Sequence, residues 1–159
     1  MAVQFSDKDI NCLITEKKPL PENYRSLIQL KPKRGHSERE LDVQGKEGND
    51  FRLILRQSII NPIDFSVILA YRPKNSTQLF RLLRCNGKHE HTNMFEKVTF
   101  DDFYIHTATE RYQEIGTRED GFAESTNCFT SFQDAIICML KDGNFELPED
   151  PQGRLFEDI

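Results

Sequence analysis

Apolar residues follow two different periods along the chain. Within residues 10–14 and 132–140 they recur every three or four positions, which places them on one side of a helix. Between about residues 41 and 112 they alternate with polar residues, as in a strand with one buried face. This pattern predicts an α+β fold, with an N-terminal and a C-terminal helix and an antiparallel sheet of about five or six strands.

Both helices carry start and stop signals. Ser6 is predicted to cap the first helix with Asp9 three residues later, and Pro19 lies beyond its end. For the second helix the pattern predicts Thr130 as the cap and Gly143 as the stop. One apolar side of this helix should pack across the sheet, and its members are Phe132, Ala135, Ile136, Met139 and Leu140.

The strands are separated by short segments rich in turn-forming residues. These segments are residues 45–50, 61–62, 73–76 and 86–87. They are too short to hold crossover helices, so consecutive hairpins are expected, with strands at 79–85 and 103–112 among them. The charged segment 31–40 is predicted to be a mobile loop.

Length and composition favour one intracellular domain. Residues 1–147 of the 159 are predicted to form it, and residues 148–159 to form an acidic, flexible tail. No apolar run approaches the roughly 18 residues that span a bilayer, and the start of the chain lacks the pattern of a signal peptide. We therefore expect a cytoplasmic protein with no membrane partner. Four isolated cysteines indicate reduced thiols in the core, and they are Cys12, Cys85, Cys128 and Cys138.

Charge is distributed unevenly around a net value of -5. Residues 1–100 contain 17 Lys and Arg against 12 Asp and Glu, whereas residues 101–159 contain 4 against 14. This asymmetry predicts a basic and an acidic surface for different partners, although folding can also intermix the two halves. The candidate basic patch, for a protein partner or a nucleic acid, consists of Arg52, Arg56, Arg72, Arg81 and Arg84.

Three of the four histidines, His89, His91 and His106, lie within eighteen residues. Acid–base cleavage of a phosphodiester needs a base, an acid and a cation, and His91, His106 and Arg84 can supply them. Alternation in the predicted strand 103–112 places Glu110 on the same side as His106, where its charge would fix the imidazole. His91 and His106 should then lie close together.

A metal site is the alternative for the same histidines, and the ordinary alternative to both is a polar surface. The weak candidate ligands are His89, His91, Glu96 and His106, in a spacing that resembles the cupin motif without its glycines and proline. We therefore assign no metal and no cofactor.

A His-Thr-Asn motif lies at residues 91–93, after residues 82–87 and before an aromatic strand that ends in Ile105 and His106. In these features the chain bears a resemblance to an uncharacterised family of small bacterial proteins. This resemblance implies a functional role for His91, Asn93 and His106. Tyr104 replaces the first of two histidines in the family strand, which weakens a shared metal site.

Family members look like single genes on mobile elements. The resemblance therefore implies an accessory protein of a mobile element or phage conflict system, such as toxin–antitoxin, anti-phage or counter-defence. Such a protein would act on a protein or nucleic-acid partner, with a ribonuclease-like site at His91 and His106. A protein-interaction module without enzymatic activity is the competing hypothesis.

Overall fold

The computed structural model describes residues 5–93, 97–114 and 122–148. Its helices are α1 (Asp7–Thr15), α2 (Tyr24–Leu27), α3 (Glu110–Glu114) and α4 (Phe132–Asp142). Its strands are β1 (Lys18–Pro19), β2 (Lys31–Pro32), β3 (His36–Gln44), β4 (Asp50–Ser58), β5 (Phe65–Arg72), β6 (Phe80–Asn93), β7 (Val98–Thr107), β8 (Phe122–Ser125) and β9 (Phe145–Glu146).

Within these residues the fold is α+β, as predicted. Seven strands form an antiparallel sheet in the order β2-β3-β4-β5-β6-β7-β8, so each strand pairs with its neighbour in sequence. A separate two-stranded parallel sheet joins β1 to β9. The predicted N-terminal and C-terminal helices are both present. The prediction of a mobile loop at residues 31–40 was wrong, because this segment contributes β2 and most of β3.

Helix ends follow local capping chemistry. Ser6 accepts a hydrogen bond from the Asp9 backbone, and the Asp9 carboxylate accepts one from the Ser6 N–H. Helix α4 is capped by Ser131, whose hydroxyl accepts from the backbone of Asp134, and not by Thr130 as predicted. The error is one residue, because either hydroxyl fits the sequence pattern of a cap.

The core lies between the sheet and the helices α1, α2 and α4. Leu53, Val67 and Leu83 contribute from the sheet, and Met139 and Leu140 contribute from α4. We call this side of the sheet the helix-covered face. Residues that alternate with these core positions point to the opposite side, which we call the second face.

Candidate functional site

The second face carries a group of polar and aromatic side chains across β5, β6 and β7. Arg84 lies directly opposite His106, and Asn86 lies between Ser66 and Tyr104 on its two neighbouring strands. Residues that are directly opposite in antiparallel strands share one face of the sheet. We call these five residues the His106 cluster.

Hydrogen bonds connect the His106 cluster. The His106 Nε2 atom lies 3.2 Å from Arg84 Nη2 and 3.3 Å from Asn86 Nδ2. Ser66 donates its hydroxyl proton to Asn86 Oδ1 at 2.8 Å, and the Tyr104 ring meets the imidazole edge-on at a centroid distance of 5.0 Å. His106 is only 2 % exposed, so this network belongs to the interior.

These contacts determine how the imidazole is protonated. A guanidinium group and an amide nitrogen can only donate hydrogen bonds, so His106 Nε2 must accept them. The imidazole is then neutral, with its proton on Nδ1. Because two donors already occupy the lone pair that a general base would use, the geometry argues against a catalytic role for His106.

Asn93 has a structural partner at the edge of the sheet. Its side-chain amide donates to the Ala123 carbonyl at 2.7 Å and accepts from the Ala123 N–H at 2.9 Å. Thr126 N–H donates to the Phe103 carbonyl, so the alternation of antiparallel bonds turns the backbone groups of Ala123 away from β7. Within the described part of the chain, β8 is an edge strand, and Asn93 therefore binds backbone groups on its outer edge that could otherwise pair with another chain.

The Asn86-Gly87 pair lies inside a strand and does not form the predicted turn. The register of β6 against β7 shifts between Asn86 and His89, which marks a β-bulge. A Cβ atom at Gly87 would lie 1.8 Å from the Ile63 carbonyl oxygen, so only glycine fits there. An Asn-Gly pair usually marks a turn, whereas Gly87 is needed because the Ile63 backbone lies against it, and this distant contact leaves no signal in the sequence.

The other predicted site residues are not brought to His106 by any described contact. The backbones of His89 and His91 pair with Asp102 and Phe100, and the side chains of these histidines lie outside the described residues, as does Glu96. Phe100 and His106 are six residues apart on β7, which is about 20 Å of extended strand, so the register argues against the expected closeness of His91 and His106. The other weak metal candidates stay predictions.

The prediction for Glu110 was wrong about its secondary structure. Strand β7 ends at Thr107, and Glu110 begins α3, where its backbone N–H donates to the Asp7 carboxylate at 2.9 Å. Strand alternation thus does not relate Glu110 to His106. The predicted polar surface is also corrected, because Tyr104 and His106 are buried together with Ala108.

The cysteines differ from the prediction of four reduced core thiols. Cys128, in the segment before α4, is joined to Cys138 of α4 by a disulfide bond. Cys12 is exposed, and only Cys85 is a free, buried thiol. Burial, with a contribution from the charge of Asp142, raises the pKa of Cys85 to about 12, so this thiol stays protonated and unreactive at neutral pH.

One group in the described ranges has the composition of a metal site. The ligand atoms of Cys128, Cys138 and Asp142 lie within 4.8 Å of one another. Burial raises the pKa of Asp142. The disulfide already uses both sulfur atoms, and a metal ion requires thiolates, so this group is not a metal centre in the oxidised protein.

The five arginines of the candidate patch lie on the second face, which is the condition for them to form one patch. Pairing places Arg52 and Arg81 on either side of Ala70, Arg56 opposite Ser66, Arg84 opposite Ile68 and Arg72 opposite Asp50, and all of these positions alternate with core residues. Arg52 also donates to Asp42 at 2.8 Å, which lowers the pKa of that carboxyl, and lies 3.3 Å from Glu40. The alternative that Arg52 and Arg56 pair with acidic residues of β3 is therefore confirmed too, with Arg56 reaching Glu38 at 3.9 Å.

The burial of Lys18 was not predicted from the sequence. Lys18 has no exposed surface, and its ammonium group donates to the carbonyls of Ile14, Glu16 and Gly143 at 2.6–2.8 Å. It thus joins the end of α1 to the end of α4, where helix dipoles favour a cation. The sequence gives no signal for this role, because Lys17 beside it looks the same and is exposed.

Comparison with known proteins gives no relative. No family model, no curated protein and no solved structure matches this chain at a significant level. The resemblance to a bacterial family and the role on a mobile element therefore stay predictions. No helix within residues 5–93, 97–114 and 122–148 is long and apolar enough to cross a membrane.

Proposed function

We propose that the protein is a binding module without catalytic activity, which holds a protein partner on the part of the second face formed by β4 and β5. The observation that carries this proposal is a pair of half-buried isoleucines, Ile54 and Ile68, directly opposite each other on that face. Arg52 and Arg56 lie in the two neighbouring rows, and Arg72 lies one row beyond Arg52. We call these five residues the open face.

This composition is typical of a protein interface. The centres of such interfaces combine apolar side chains with arginine. Helices α1, α2 and α4 pack on the opposite face, so they do not cover Ile54 or Ile68. A partner that covers these two side chains would remove apolar surface from water, which favours binding.

A protein partner fits better than a nucleic acid. The acidic residues Glu38, Glu40 and Asp42 line the β3 side of the open face, directly beside Arg52 and Arg56. Phosphates would be repelled by this row, whereas a protein can place cations against it. The whole chain is also acidic, with a net charge of -5.

The proposal places this binding in the cytoplasm, as the sequence predicts. The absence of a spanning helix among the described residues is compatible with that location. Disulfides are rare in the cytoplasm, so this location predicts that the bond between Cys128 and Cys138 is largely reduced in the cell. Thiol labelling of the protein in intact cells would measure which state is present.

The test compares matched charge reversals on the two sides of the molecule. Arg72→Glu changes the open face, and Lys8→Glu makes the same change on the exposed side of α1. Proteins captured by the wild type from the native host are identified, purified and titrated against each variant. We expect Arg72→Glu to weaken the affinity of the true partner about tenfold and Lys8→Glu to leave it unchanged.

Catalysis is tested on the same samples with RNA, with and without a chelator. The proposal expects no cleavage by the folded wild type. Chelator-resistant cleavage that His106→Ala abolishes would overturn it in favour of an acid–base enzyme. Equal affinities for wild type, Arg72→Glu and Lys8→Glu would reject the open face as the binding surface.

A further inference from the structure

The loop between β4 and β5 carries the most exposed large apolar side chains of the described chain. Ile59 is 57 % exposed, Ile60 is 89 % exposed and Ile63 is 41 % exposed. Single exposed apolar residues are ordinary, but clusters of them usually mark a contact surface. We call these three residues the isoleucine tip.

The polar groups of this loop hold its backbone in one shape. Ser58 Oγ accepts from the backbone N–H groups of Ile60 at 3.2 Å and Asn61 at 3.1 Å. Asn61 in turn accepts from Ile63 N–H through its side chain at 3.3 Å and from Asp64 N–H through its carbonyl at 3.0 Å. The polar side chains thus bond inward while the isoleucines face solvent.

Both ends of the loop are attached to neighbouring segments. Ile59 N–H donates to the Gly35 carbonyl at 3.2 Å, and the Ile63 carbonyl accepts from Lys88 N–H at 3.1 Å. The backbone of Ile63 also contacts Gly87 of the β6 bulge so closely that no side chain fits between them. A loop fixed in this way loses little conformational entropy when it binds, which is the advantage of preorganisation.

Two cationic residues lie in the segments that adjoin the isoleucine tip. Arg34 adjoins Gly35 on one side, and Lys88 lies on the other, both exposed. Arg34 also lines a cleft of about 410 Å³ with Arg56 and Asp64, at the root of the loop. The tip therefore presents apolar side chains with positive charge on both sides.

We propose that the isoleucine tip inserts into an apolar pocket with an acidic rim on the protein partner. This inference rests on the proposed function and adds the partner's surface chemistry to it. A convex, rigid apolar element requires a concave apolar surface, and Arg34 and Lys88 require carboxylates around that surface. The loop joins the ends of β4 and β5, the two strands that form the open face, so one partner can contact both.

The first test uses a photoreactive side chain as its probe. The substitution Ile60→p-benzoylphenylalanine is made in the full chain, with Lys74→p-benzoylphenylalanine in the exposed β5–β6 loop as the matched control. After irradiation in the host, we expect position 60 to link to one protein and position 74 not to link to it. Links to lipid, or only to a second copy of this chain, would overturn the proposal.

The second test measures affinity for the purified cross-linked protein. Ile60→Ser should weaken binding about tenfold without changing the melting temperature, because Ile60 is 89 % exposed. Arg34→Glu should weaken binding and reduce its dependence on salt. Unchanged affinity for Ile60→Ser would reject the tip.

The two proposals fail separately in this measurement. If Arg72→Glu weakens binding and Ile60→Ser does not, the open face stands and the tip is rejected. If Ile60→Ser weakens binding and Arg72→Glu does not, the tip stands and the open face is rejected as the site of the proposed function.

Discussion

On the second face of the sheet, the side chains of strands β4 and β5 are more exposed than those of β6 and β7. The open face carries half-buried Ile54 and Ile68 among arginines, whereas Tyr104 and His106 are at most 2 % exposed. In sequence both sets are simply the residues that alternate with the core. Alternation therefore assigns a side chain to a face and says nothing about whether that face meets water.

The consequence concerns candidate chemistry. A histidine, an arginine and an asparagine on a solvated face would be available to a substrate. Within the His106 cluster the same three residue types hydrogen-bond one another instead, as is usual for buried polar groups. The difference separates a structural region of the second face from a region suited to binding.

The largest expected effect contrasts the helix-covered face with the open face. Ile136 is 5 % exposed in the core, so Ile136→Asp buries an unpaired charge and should cost about 3–5 kcal/mol of the free energy of unfolding. Ile68→Asp, on the open face, should cost only about 1 kcal/mol because its charge remains close to water. Urea denaturation measures both, and equal losses would show that the two faces are equally buried.

A pH effect of on the order of 3 kcal/mol is expected from Lys18. Burial lowers the pKa of Lys18 to about 8, against an ordinary value of 10.5, with Glu16 opposing the shift. Between these pH values the unfolded chain holds the proton and the folded chain does not, so stability should rise with pH across that window. Urea denaturation at pH 7.5 and pH 10 should show this rise in the wild type relative to Lys18→Met. Parallel behaviour of the two proteins would contradict the shift.

The disulfide, on the helix-covered side, should contribute about 2–3 kcal/mol to the free energy of unfolding. Cys128 and Cys138 are ten residues apart, and closing a loop of this size restricts the unfolded chain. The measurement is denaturation with and without a thiol reductant, and the matched control is Cys12→Ser, which removes an exposed free thiol. If the reductant does not change the free energy of unfolding of the wild type, the disulfide does not stabilise the protein.

The contact between Asn93 and the edge of β8 should contribute about 2 kcal/mol to the free energy of unfolding. Asn93→Ala deprives both backbone groups of Ala123 of their partner, and such losses cost about 1–3 kcal/mol when the groups are buried. The freed edge of β8 should also promote association between chains, which sedimentation velocity detects. Asn93→Asp is the informative companion, because a carboxylate still accepts from Ala123 N–H and cannot donate to its carbonyl. If both variants are as stable as the wild type, the contact between Asn93 and Ala123 does not stabilise the protein.

The sequence predicted the fold class because its signals are local. Alternation, the Ser6 cap and the apolar side of α4 each depend on a few neighbouring residues, and all three agree with the structure. Local signals also account for the errors. The glycine at Gly87 was taken for a turn, and the strand that contains His106 was extended to Tyr112 although a helix begins at Glu110.

The candidate site was harder to predict because its meaning depends on distant contacts. Asn93 contacts Ala123 thirty residues away, and Lys18 contacts Gly143 across 125 positions. Neither contact leaves a periodic pattern in the sequence. The grouping of arginines on one face, by contrast, followed from the hairpin order, which short connections already implied.

The most direct test of the division within the second face is the unfolding free energy of His106→Leu. Leucine fills a similar space and cannot accept hydrogen bonds, so Arg84 and Asn86 would each lose an acceptor inside the protein. Asn86 keeps the bond that its Oδ1 accepts from Ser66, but its Nδ2 and the Arg84 guanidinium lose this acceptor, so we predict a loss of about 2–4 kcal/mol by urea denaturation. Stability equal to that of the wild type would contradict a structural role for His106 and would return this residue to the candidates for catalysis.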